Sequence, residues 1–523
     1  MATPLEIACR GLVPVIAGVV ISICIEQFHR PRPRVRDRLA TAFAIHVGMW
    51  LLLFGFGLAI WQRPYFASGL NIAGMLLIVL VSNAKFASLR EPFLLSDFRF
   101  FKALLRHPRL YLPFFGVLPA INCALVFIIF CVIALRQEPS LLLQMGFASF
   151  AYFCVIFVAL GAVLLWFGVR SRTAITLDPL RDLQMFGLVG SFVRYWQEER
   201  ANDPKALIKK LRGAIHIQPE SPAPEELPHI VAVQCESFFD ARRVFSGVSA
   251  AVLKNFDALT QASSRAGRLN VPAWGANTVR TEFSFLTGVP PAALGIHQFN
   301  PYRKLARHGM PTIASELKKQ GYRTICVHPF SATCYERDVV FPALGFDEFI
   351  DIAAFSDADR SGPYVGDLAV AQKVRTILGS AVGPLFIFVI TMENHGPLHQ
   401  ERVADGDQER LYATAPPAGY EEFTIYLRHL QHTDAMLGEL HTALNATSRR
   451  GWLCAYGDHV PILPGVYEAN DFADGRTDYF VVGPAASAGS PQIIDIAPED
   501  LSRCLLQEAG LNESLRSGRD QLA

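Results

Sequence analysis

The chain has 523 residues, of which 51% are hydrophobic and 18% charged, and its mean hydropathy is +0.26. This composition is too apolar for a wholly water-soluble protein of that length, so part of the chain is expected to lie in lipid. The formal net charge of +1 supplies no concentrated basic surface, which argues against a nucleic-acid-binding protein.

Apolar stretches in the first third of the chain predict a transmembrane domain over residues 1–168. A helix needs roughly 20 apolar residues to cross a bilayer. The first stretch has one Arg before its apolar run and no cleavage site, so we interpret it as an uncleaved span. The five predicted spans are 5–25, 39–61, 66–82, 110–135 and 142–168.

Residues 169–228 are predicted to connect this domain to a second one. Segment 192–215 combines basic and large apolar residues, which fits either a helix lying on the membrane surface or an ordinary connecting helix. Segment 217–228 is rich in proline, which cannot continue a helix, and therefore predicts a linker. The rest is predicted to form a catalytic domain over 229–510 and a C-terminal tail over 511–523.

Short β-branched and aromatic runs alternate with helical patterns in the predicted catalytic domain. This alternation predicts an α/β fold with a mostly parallel central sheet and helices on both faces. Ligands of such sheets bind at the carboxyl ends of the strands. Strands are predicted at 229–235, 322–329, 384–391, 451–457 and 478–483, and helices at 252–264, 310–320, 368–378 and 420–444.

Polar residues follow several of these strands. Glu236 follows the first strand, and the adjacent Asp458 and His459 follow the strand at 451–457. Carboxylate and imidazole groups at strand ends can bind one cation, although each pattern taken alone also fits a solvated turn or a helix cap. The sequence therefore offers these three residues as candidate metal ligands.

Two further candidates lie in loops. Thr278 follows a Gly and small residues and is predicted to begin a helix, where its hydroxyl could receive a phosphoryl group or act only as an N-cap. His395 lies in an Asn-His-Gly-Pro turn, where it could donate to a phosphate oxygen or assist a leaving group. The alternative for His395 is a turn residue exposed to water.

The order and spacing of these motifs resemble the lipoteichoic acid synthase and phosphoglycerol transferase family, a membrane-bound, sulfatase-like branch of the alkaline phosphatase superfamily. The matching segments are Glu236, the loop of Thr278, HPFSATCYERD at 328–338, NHGP at 394–397 and GDH at 457–459. The resemblance extends over nearly the whole chain. It implies five helical spans followed by an α/β alkaline-phosphatase-like domain.

By this resemblance, Glu236, Thr278, Asp458 and His459 bind one divalent cation, for which manganese is expected and magnesium or zinc are alternatives. The family pattern T-x-x-x-E-F begins here at Thr278 and makes that residue the nucleophile, with Thr281 as its rival. Many relatives have Ser-Asp after the nucleophile, whereas this chain has Val-Arg. That departure bears more on the donor or acceptor than on the metal.

The resemblance also implies that Tyr335 and Arg337 bind the headgroup and that His395 contacts the transferred phosphate. The planar fork of an Arg can hold two phosphate oxygens, although a surface ion pair is the alternative for a Tyr-Glu-Arg-Asp run. His328 lies in a comparable loop without a secure alignment. Phe330 lies near the place where relatives can carry an acidic residue, so the headgroup is left open.

The implied function is a metal-dependent phosphoglycerol transferase that moves glycerol phosphate from phosphatidylglycerol to a cell-envelope glycan through a phosphothreonine-type intermediate. A phosphoethanolamine transferase and a non-catalytic membrane scaffold that kept the fold are the alternatives. A sulfatase activity is not expected, because the chain has no C/S-x-P-x-R motif.

The predicted location is the inner membrane, with several spans and a periplasmic catalytic domain implied by the resemblance. The charge pattern points the other way. Basic residues at 30–38 and 85–109, with Arg170 and Arg172 after the last span, would place the catalytic domain in the cytoplasm by the positive-inside rule. We give the resemblance more weight, because one miscounted span reverses the charge argument.

Overall fold

The computed structural model describes residues 4–99, 117–171, 173–212, 227–484 and 491–511. The chain divides into two compact units, Met1–Ala201 and Asn202–Ala523. The start of the fourth predicted span, most of the predicted linker and the predicted tail lie outside the described residues, at 110–116, 217–226 and 512–523. The predicted domain boundaries at residues 168 and 228 remain predictions.

The first unit is helical. Its described helices are Pro4–Glu26, Ala40–Trp61, Pro64–Leu89, Val117–Gln137, Leu141–Met145, Phe147–Val169 and Pro179–Ala201. Four stretches are long and apolar enough to cross a membrane, namely Ala40–Trp61, Pro64–Leu89, Ile121–Met145 and Phe147–Val169, and a shorter apolar helix covers Gly11–Glu26. The prediction of about five apolar N-terminal helices is confirmed at that level.

Two of these helices, Ala40–Trp61 and Phe147–Val169, pack with their backbones in close contact. A Cβ atom on Gly48 would lie 2.9 Å from the carbonyl oxygen of Gly161, and one on Gly168 would lie 2.9 Å from that of Thr41. Small residues let helices approach in this way where water is absent and packing replaces the hydrophobic effect. Large apolar side chains such as Phe56 point away from the protein, as lipid contact requires.

The second unit is an α/β domain. Its helices are Pro204–Leu211, Lys254–Ala262, Thr278–Thr287, Pro301–Lys304, Ile313–Lys319, Arg337–Ala343, Asp367–Gly379, Asp407–Leu411, Glu421–Asn445, Pro464–Ala469 and Pro498–Glu508. Its strands are β1 (His229–Cys235), β2 (Arg265–Leu269), β3 (Arg323–Val327), β4 (Glu348–Ile350), β5 (Arg360–Ser361), β6 (Tyr364–Val365), β7 (Leu385–Ile390), β8 (Gly451–Gly457), β9 (Thr477–Val482) and β10 (Gln492–Ile493).

Eight strands form one sheet in the order β10-β2-β9-β8-β1-β7-β3-β4, and β5 pairs with β6 separately. Strands β8, β1, β7, β3 and β4 run parallel to one another, whereas β9 runs antiparallel to both β8 and β2. The predicted, mostly parallel α/β sheet is therefore confirmed. Strands β1 and β8 have the predicted bounds.

Both faces of the sheet are buried under helices. In β1, Val231 and Val233 belong to one hydrophobic core with the helices Asp367–Gly379 and Glu421–Asn445. The intervening Ile230 belongs to a second core, with the helices Thr278–Thr287 and Pro498–Glu508. Because successive side chains of a strand point to opposite faces, a strand that is covered on both sides is apolar throughout.

The parallel register brings three strand ends to one edge. Cys235 at the end of β1 pairs with Gly457 at the end of β8, and Gln234 pairs with Ile390 at the end of β7. The next residue of each strand is polar, and the Glu236 amide donates to the Thr391 hydroxyl at 2.9 Å. This edge is where the candidate site lies.

We predict that Gly457→Ala strongly destabilises the protein, because a Cβ there would lie 1.8 Å from the backbone oxygen of Phe238. Overpacking against a fixed backbone costs about 1 to 3 kcal/mol or more. Thermal unfolding of the full chain in detergent measures the effect. The matched control is Gly465→Ala, whose Cβ would meet nothing within 4 Å. Equal melting temperatures for the two variants would contradict the proposed close approach.

Candidate metal centre and active site

Glu236, Asp458 and His459 converge at the ends of β1 and β8. The Nε2 atom of His459 lies 3.3 Å from Asp458 Oδ2 and 3.6 Å from Glu236 Oε1. Each residue offers one ligand atom, and these atoms lie within 4.8 Å of one another. All three side chains are buried. The structure thus brings together two carboxylates and an imidazole from positions more than 200 residues apart in the chain.

The surrounding hydrogen bonds orient this triad. Asp458 Oδ1 accepts from the amides of Ser237 and His459, each at 2.9 Å. The Ser237 hydroxyl donates to Glu236 Oε1 at 2.9 Å. Asp458 Oδ2 is buried and has no hydrogen-bond partner among the described residues. A buried carboxylate oxygen without a donor is costly unless a cation or another donor satisfies it.

The charge of the triad also fits a cation. Burial and the neighbouring Asp458 carboxylate raise the pKa of Glu236 above its usual range, while His459 lowers it. Two carboxylates held this close repel each other, and a divalent ion removes that repulsion. Carboxylate oxygens and an imidazole nitrogen are ligands that zinc, manganese and related ions accept. The residues present therefore fit a divalent cation.

Thr278 and Thr281 occupy different positions around the triad. Thr278 begins the helix Thr278–Thr287 and is half-buried, and its Oγ1 lies 3.5 Å from His459 Nε2. Thr281 is buried, and its hydroxyl donates to the backbone oxygen of Asp458 at 2.8 Å. The geometry favours Thr278 as the residue whose hydroxyl is open to a substrate. Thr281 instead connects the helix to the loop that carries Asp458 and His459.

His395 follows β7 and is half-buried. Its Nδ1 lies 2.6 Å from the carbonyl oxygen of Gly396 and 3.2 Å from the Tyr364 hydroxyl. The Nδ1 proton is donated to that carbonyl, which leaves the lone pair on Nε2. Burial lowers the pKa of His395, although the Gly396 carbonyl and Asp458 raise it. The ring is therefore oriented and neutral near neutral pH.

Arg337 is buried and therefore does not belong to a surface ion pair. Its Nη2 donates to Glu282 at 2.8 Å and its Nη1 lies 3.2 Å from His328 Nε2, while Nε is buried without an acceptor among the described residues. Burial and Arg337 lower the pKa of His328, so its neutral ring accepts from Arg337 and orients it. The guanidinium carbon lies 5.3 Å from the centre of the Tyr335 ring. Tyr335 and Arg337 thus form one unit, and the hydrogen bonds given above for Arg337 are with Glu282 and His328.

Some contributors to the site carried no separate signal in the sequence. Glu282 accepts from Arg337, from the Tyr302 hydroxyl and from Gln234 Nε2, the last at 3.2 Å. The one feature of the sequence that indicated a role for Glu282 in the site is its position in the T-x-x-x-E-F pattern. Ser237 is adjacent to Glu236, so its contact with the triad follows from the turn at the end of β1.

An α/β sheet with a carboxylate-and-histidine triad at the strand ends and a threonine at a helix start defines a class of metal-dependent hydrolases and transferases, the alkaline phosphatase superfamily. The sequence model of the Sulfatase family matches residues 228–509, which is more than half of the chain. The chain belongs to this family. The predicted resemblance to a sulfatase-like branch of this superfamily and the prediction of an enzyme are confirmed at that level.

A relative in Rhizobium meliloti (strain 1021), the capsular polysaccharide biosynthesis protein RkpI, is 30% identical over 512 residues, covering 93% of this chain and 89% of its own. Among solved structures, the phosphoglycerol transferase GacH of Streptococcus pyogenes, in complex with sn-glycerol-1-phosphate, is 22% identical with a TM-score of 0.45, over 60% of this chain and 80% of GacH. The lipoteichoic acid synthase LtaP of Listeria monocytogenes is 20% identical with the same TM-score, over 59% and 79% of the two chains.

We predict that replacing each of the two threonines by the isosteric Val has different effects on the stability of the protein. Thr281→Val leaves the Asp458 carbonyl without this donor and costs about 1 to 2 kcal/mol, which lowers the melting temperature by roughly 2 to 6 °C. Thr278→Val removes a half-buried hydroxyl whose one hydrogen-bond contact among the described residues is long, at 3.5 Å, so stability changes by less than about 0.5 kcal/mol. Thermal unfolding of the full chain checks both. The reverse order would show that Thr278 is the structural residue.

Proposed function

We propose that this protein is a metal-dependent phosphoglycerol transferase that moves a glycerol-phosphate headgroup from a phospholipid to a cell-envelope glycan, with Thr278 as the nucleophile. The observation that carries the proposal is the position of the Thr278 hydroxyl, which belongs to a half-buried residue and lies beside a buried triad with an unsatisfied carboxylate oxygen among the described residues. Glu236, Asp458, His459 and Thr278 are proposed to hold one divalent cation, with manganese expected and magnesium or zinc as alternatives.

The proposed donor is phosphatidylglycerol. Its support is the motif resemblance together with the Tyr335 and Arg337 unit, whose buried guanidinium and neighbouring aromatic ring suit an anionic headgroup. The helices of the first unit agree with a lipid substrate, because a membrane-anchored enzyme meets its donor at a high effective concentration. The proposed acceptor is a glycan, in keeping with the relative named for capsular polysaccharide biosynthesis.

In the first half-reaction, the Thr278 oxygen attacks the phosphorus. Thr278 gives up its proton, a new oxygen–phosphorus bond forms, and the bond from phosphorus to the diacylglycerol oxygen breaks. The leaving oxygen takes up one proton and departs as diacylglycerol. When bound, a divalent cation lowers the pKa of a coordinated hydroxyl and offsets phosphate charge. His395 is held by its Nδ1–H, and its Nε2 lone pair is proposed to take up a proton and then to donate it to a phosphate oxygen.

In the second half-reaction, a glycan hydroxyl attacks the phosphothreonine. The hydroxyl loses its proton, its oxygen bonds to phosphorus, and the Thr278 oxygen is released and reprotonated. Arg337 is proposed to offset charge on the phosphate oxygens, since its buried cation is rigidly held by Glu282 and His328. Two successive displacements give retention of configuration at phosphorus.

The proposed location is the inner membrane with the catalytic domain on the periplasmic side, which rests on the family resemblance. Two residues of the basic segments contribute less to the positive-inside argument against this location than their charge suggests. Arg38 is buried in an ion pair with Glu26, and Lys85 binds Glu91 at 2.8 Å and Asp97 at 2.6 Å. Cations neutralised inside the protein are not presented to an anionic membrane surface.

We predict that the purified full chain releases diacylglycerol from vesicles that contain phosphatidylglycerol, and that Thr278→Val lowers the rate by at least about a thousandfold, as loss of a nucleophile does. Labelled lipid and chromatographic detection of diacylglycerol provide the measurement. Release from phosphatidylethanolamine in place of phosphatidylglycerol would instead identify a phosphoethanolamine transferase. Release from neither lipid by a metal-loaded protein would favour a non-catalytic scaffold.

The control for this assay is removal of the metal. Chelation abolishes release if the triad binds the catalytic cation, and added manganese restores it. Thr281→Val, measured below its melting temperature, keeps a substantial rate because its hydroxyl faces the Asp458 backbone. An enzyme that resists chelation, or in which only Thr281→Val is inactive, would rule out the proposed mechanism.

We also predict that a reporter fused after Ala523 is active only when the reporter works in the periplasm. Alkaline phosphatase and green fluorescent protein fusions, compared in intact cells, measure this directly, since the first folds in the periplasm and the second in the cytoplasm. A fluorescent, phosphatase-negative pair of fusions would place the catalytic domain in the cytoplasm, as the positive-inside rule does.

A further inference from the structure

A second group of metal-ligating side chains lies outside the triad. Glu393 is located between β7 and His395, and it faces His429 and His432 from the helix Glu421–Asn445. Its Oε1 atom lies 3.0 Å from His429 Nδ1 and 2.6 Å from His432 Nδ1. The two histidines are three positions apart in the helix, which places them on one face.

We propose that Glu393, His429 and His432 form a second divalent-cation site, separate from the site at Glu236. The expected ion is zinc or a similar cation that accepts both nitrogen and oxygen ligands. Two imidazole nitrogens and one carboxylate oxygen are a ligand set that zinc commonly takes, with water in the fourth position. Bonds of about 2.0 to 2.1 Å place tetrahedral ligand atoms about 3.3 Å apart. The separations around Glu393 Oε1 are near that value, so small movements would admit an ion.

The contacts behind the ligands support this proposal. His429 Nε2 lies 3.0 Å from Glu401 Oε1 and 3.1 Å from Glu401 Oε2, so a carboxylate holds the far side of the ring. Metal-binding histidines typically donate their other ring N–H to such a group, which fixes the tautomer and aims the first nitrogen at the ion. Arg428 in turn binds Glu401 at 3.1 Å. The Glu393 Oε2 atom accepts from the Asp367 amide at 2.7 Å, which leaves Oε1 for the histidines.

Two unsatisfied atoms lie in the same group. Asp367 Oδ1 and Asn394 Oδ1 are buried without a hydrogen-bond partner among the described residues. Both side chains bond Thr433, at 2.6 Å from Asp367 Oδ2 and at 3.0 Å from Asn394 Nδ2. Asp367 and Glu393 are two buried carboxylate residues in contact with each other, so the group brings together an excess of acidic side chains. A cation would supply the missing charge, and water bound to it could supply a missing donor.

His432 gives the site a route to solvent. Its side chain is 33% exposed, whereas those of Glu393 and His429 are 1% exposed. An ion could therefore enter past His432 and be held by two buried groups. Because Glu393 lies two residues before His395, an ion here would fasten the loop of His395 to the helix Glu421–Asn445. We assign the site a structural role on that loop.

The same contacts allow a metal-free alternative. Burial opposes the charged ring, but hydrogen bonds with Glu393 and Glu401 raise the pKa of His429 to about 9. His429 would then be an imidazolium held between two carboxylates, and His432 a half-exposed neighbour. The two possibilities differ in zinc content, which makes them separable without any assay of transfer activity.

The test is zinc stoichiometry in the full chain. Detergent-purified protein is stripped with a chelator, reloaded with zinc, desalted and measured by elemental analysis. We expect His432→Ala to bind one zinc fewer per chain than the wild type. His441→Ala, on the same helix and in contact with Asn445, is the matched control and keeps the wild-type content. Equal zinc content in His432→Ala and the wild type would overturn the proposal.

A second measurement identifies the ligands directly and does not depend on the His432 variant. In a Glu236→Gln and Asp458→Asn double variant, the proposed catalytic site is disabled, and X-ray absorption of the zinc that remains reports its ligands. We expect one zinc per chain with two imidazole ligands. A double variant that binds no zinc, or zinc without imidazole ligands, would show that the Glu393 group is only an ion-pair network.

Discussion

The site depends on the parallel pairing of β1 with β8 and β7. Their register places Glu236, Thr391 and Asp458 one residue beyond three neighbouring strand ends. Because parallel strands end at the same edge of a sheet, residues far apart in the chain share a space without any direct link between them. Strand burial on both faces fixes that register, since a slip of one residue would turn each side chain to the other face.

The helix of the proposed nucleophile is attached to this edge by side-chain hydrogen bonds and by one hydrophobic core. The Thr281 hydroxyl binds the Asp458 backbone, while Val279, Phe283 and Leu286 enter the second hydrophobic core. The position of the Thr278 hydroxyl relative to His459 is thus set by packing rather than by its own contacts. Arg337 is fixed in the same manner, through Glu282 of this helix and through His328. The proposed nucleophile and the proposed anion-binding group consequently share one rigid support.

Much of the fold was predictable from the sequence. Strands β1 and β8 and the helix Glu421–Asn445 came within one residue of their bounds, because buried strands and long amphipathic helices have clear patterns. Strands β2, β4 and β10 of the main sheet were missed, and so was the separate β5–β6 pair. The segment Arg265–Leu269 has the sequence Arg-Ala-Gly-Arg-Leu, which lacks a strand pattern, and it forms a strand through its pairing with β9 and β10. Such pairing depends on tertiary contacts, which periodicity does not record.

The candidate site was likewise predictable only in part. The motif order singled out Glu236, Asp458 and His459, but spacing alone could not separate Thr278 from Thr281, which are one helical turn apart. Their different neighbours separate them. The Glu393, His429 and His432 group was also missed, because its members lie on a loop and a helix whose contact no local pattern predicts. The His-Leu-Gln-His run was visible, but a spacing of three on a helix also suits an ordinary polar face.

The unequal burial of the triad and of Thr278 has a kinetic consequence for the proposed reaction. The triad is buried and Thr278 is half-buried, so in that scheme both alcohols would react at the Thr278 side of the site. The first alcohol would have to leave before the second could bind, which corresponds to ping-pong kinetics. Water would compete with the second alcohol for the same position, and that competition would set the ratio of transfer to hydrolysis.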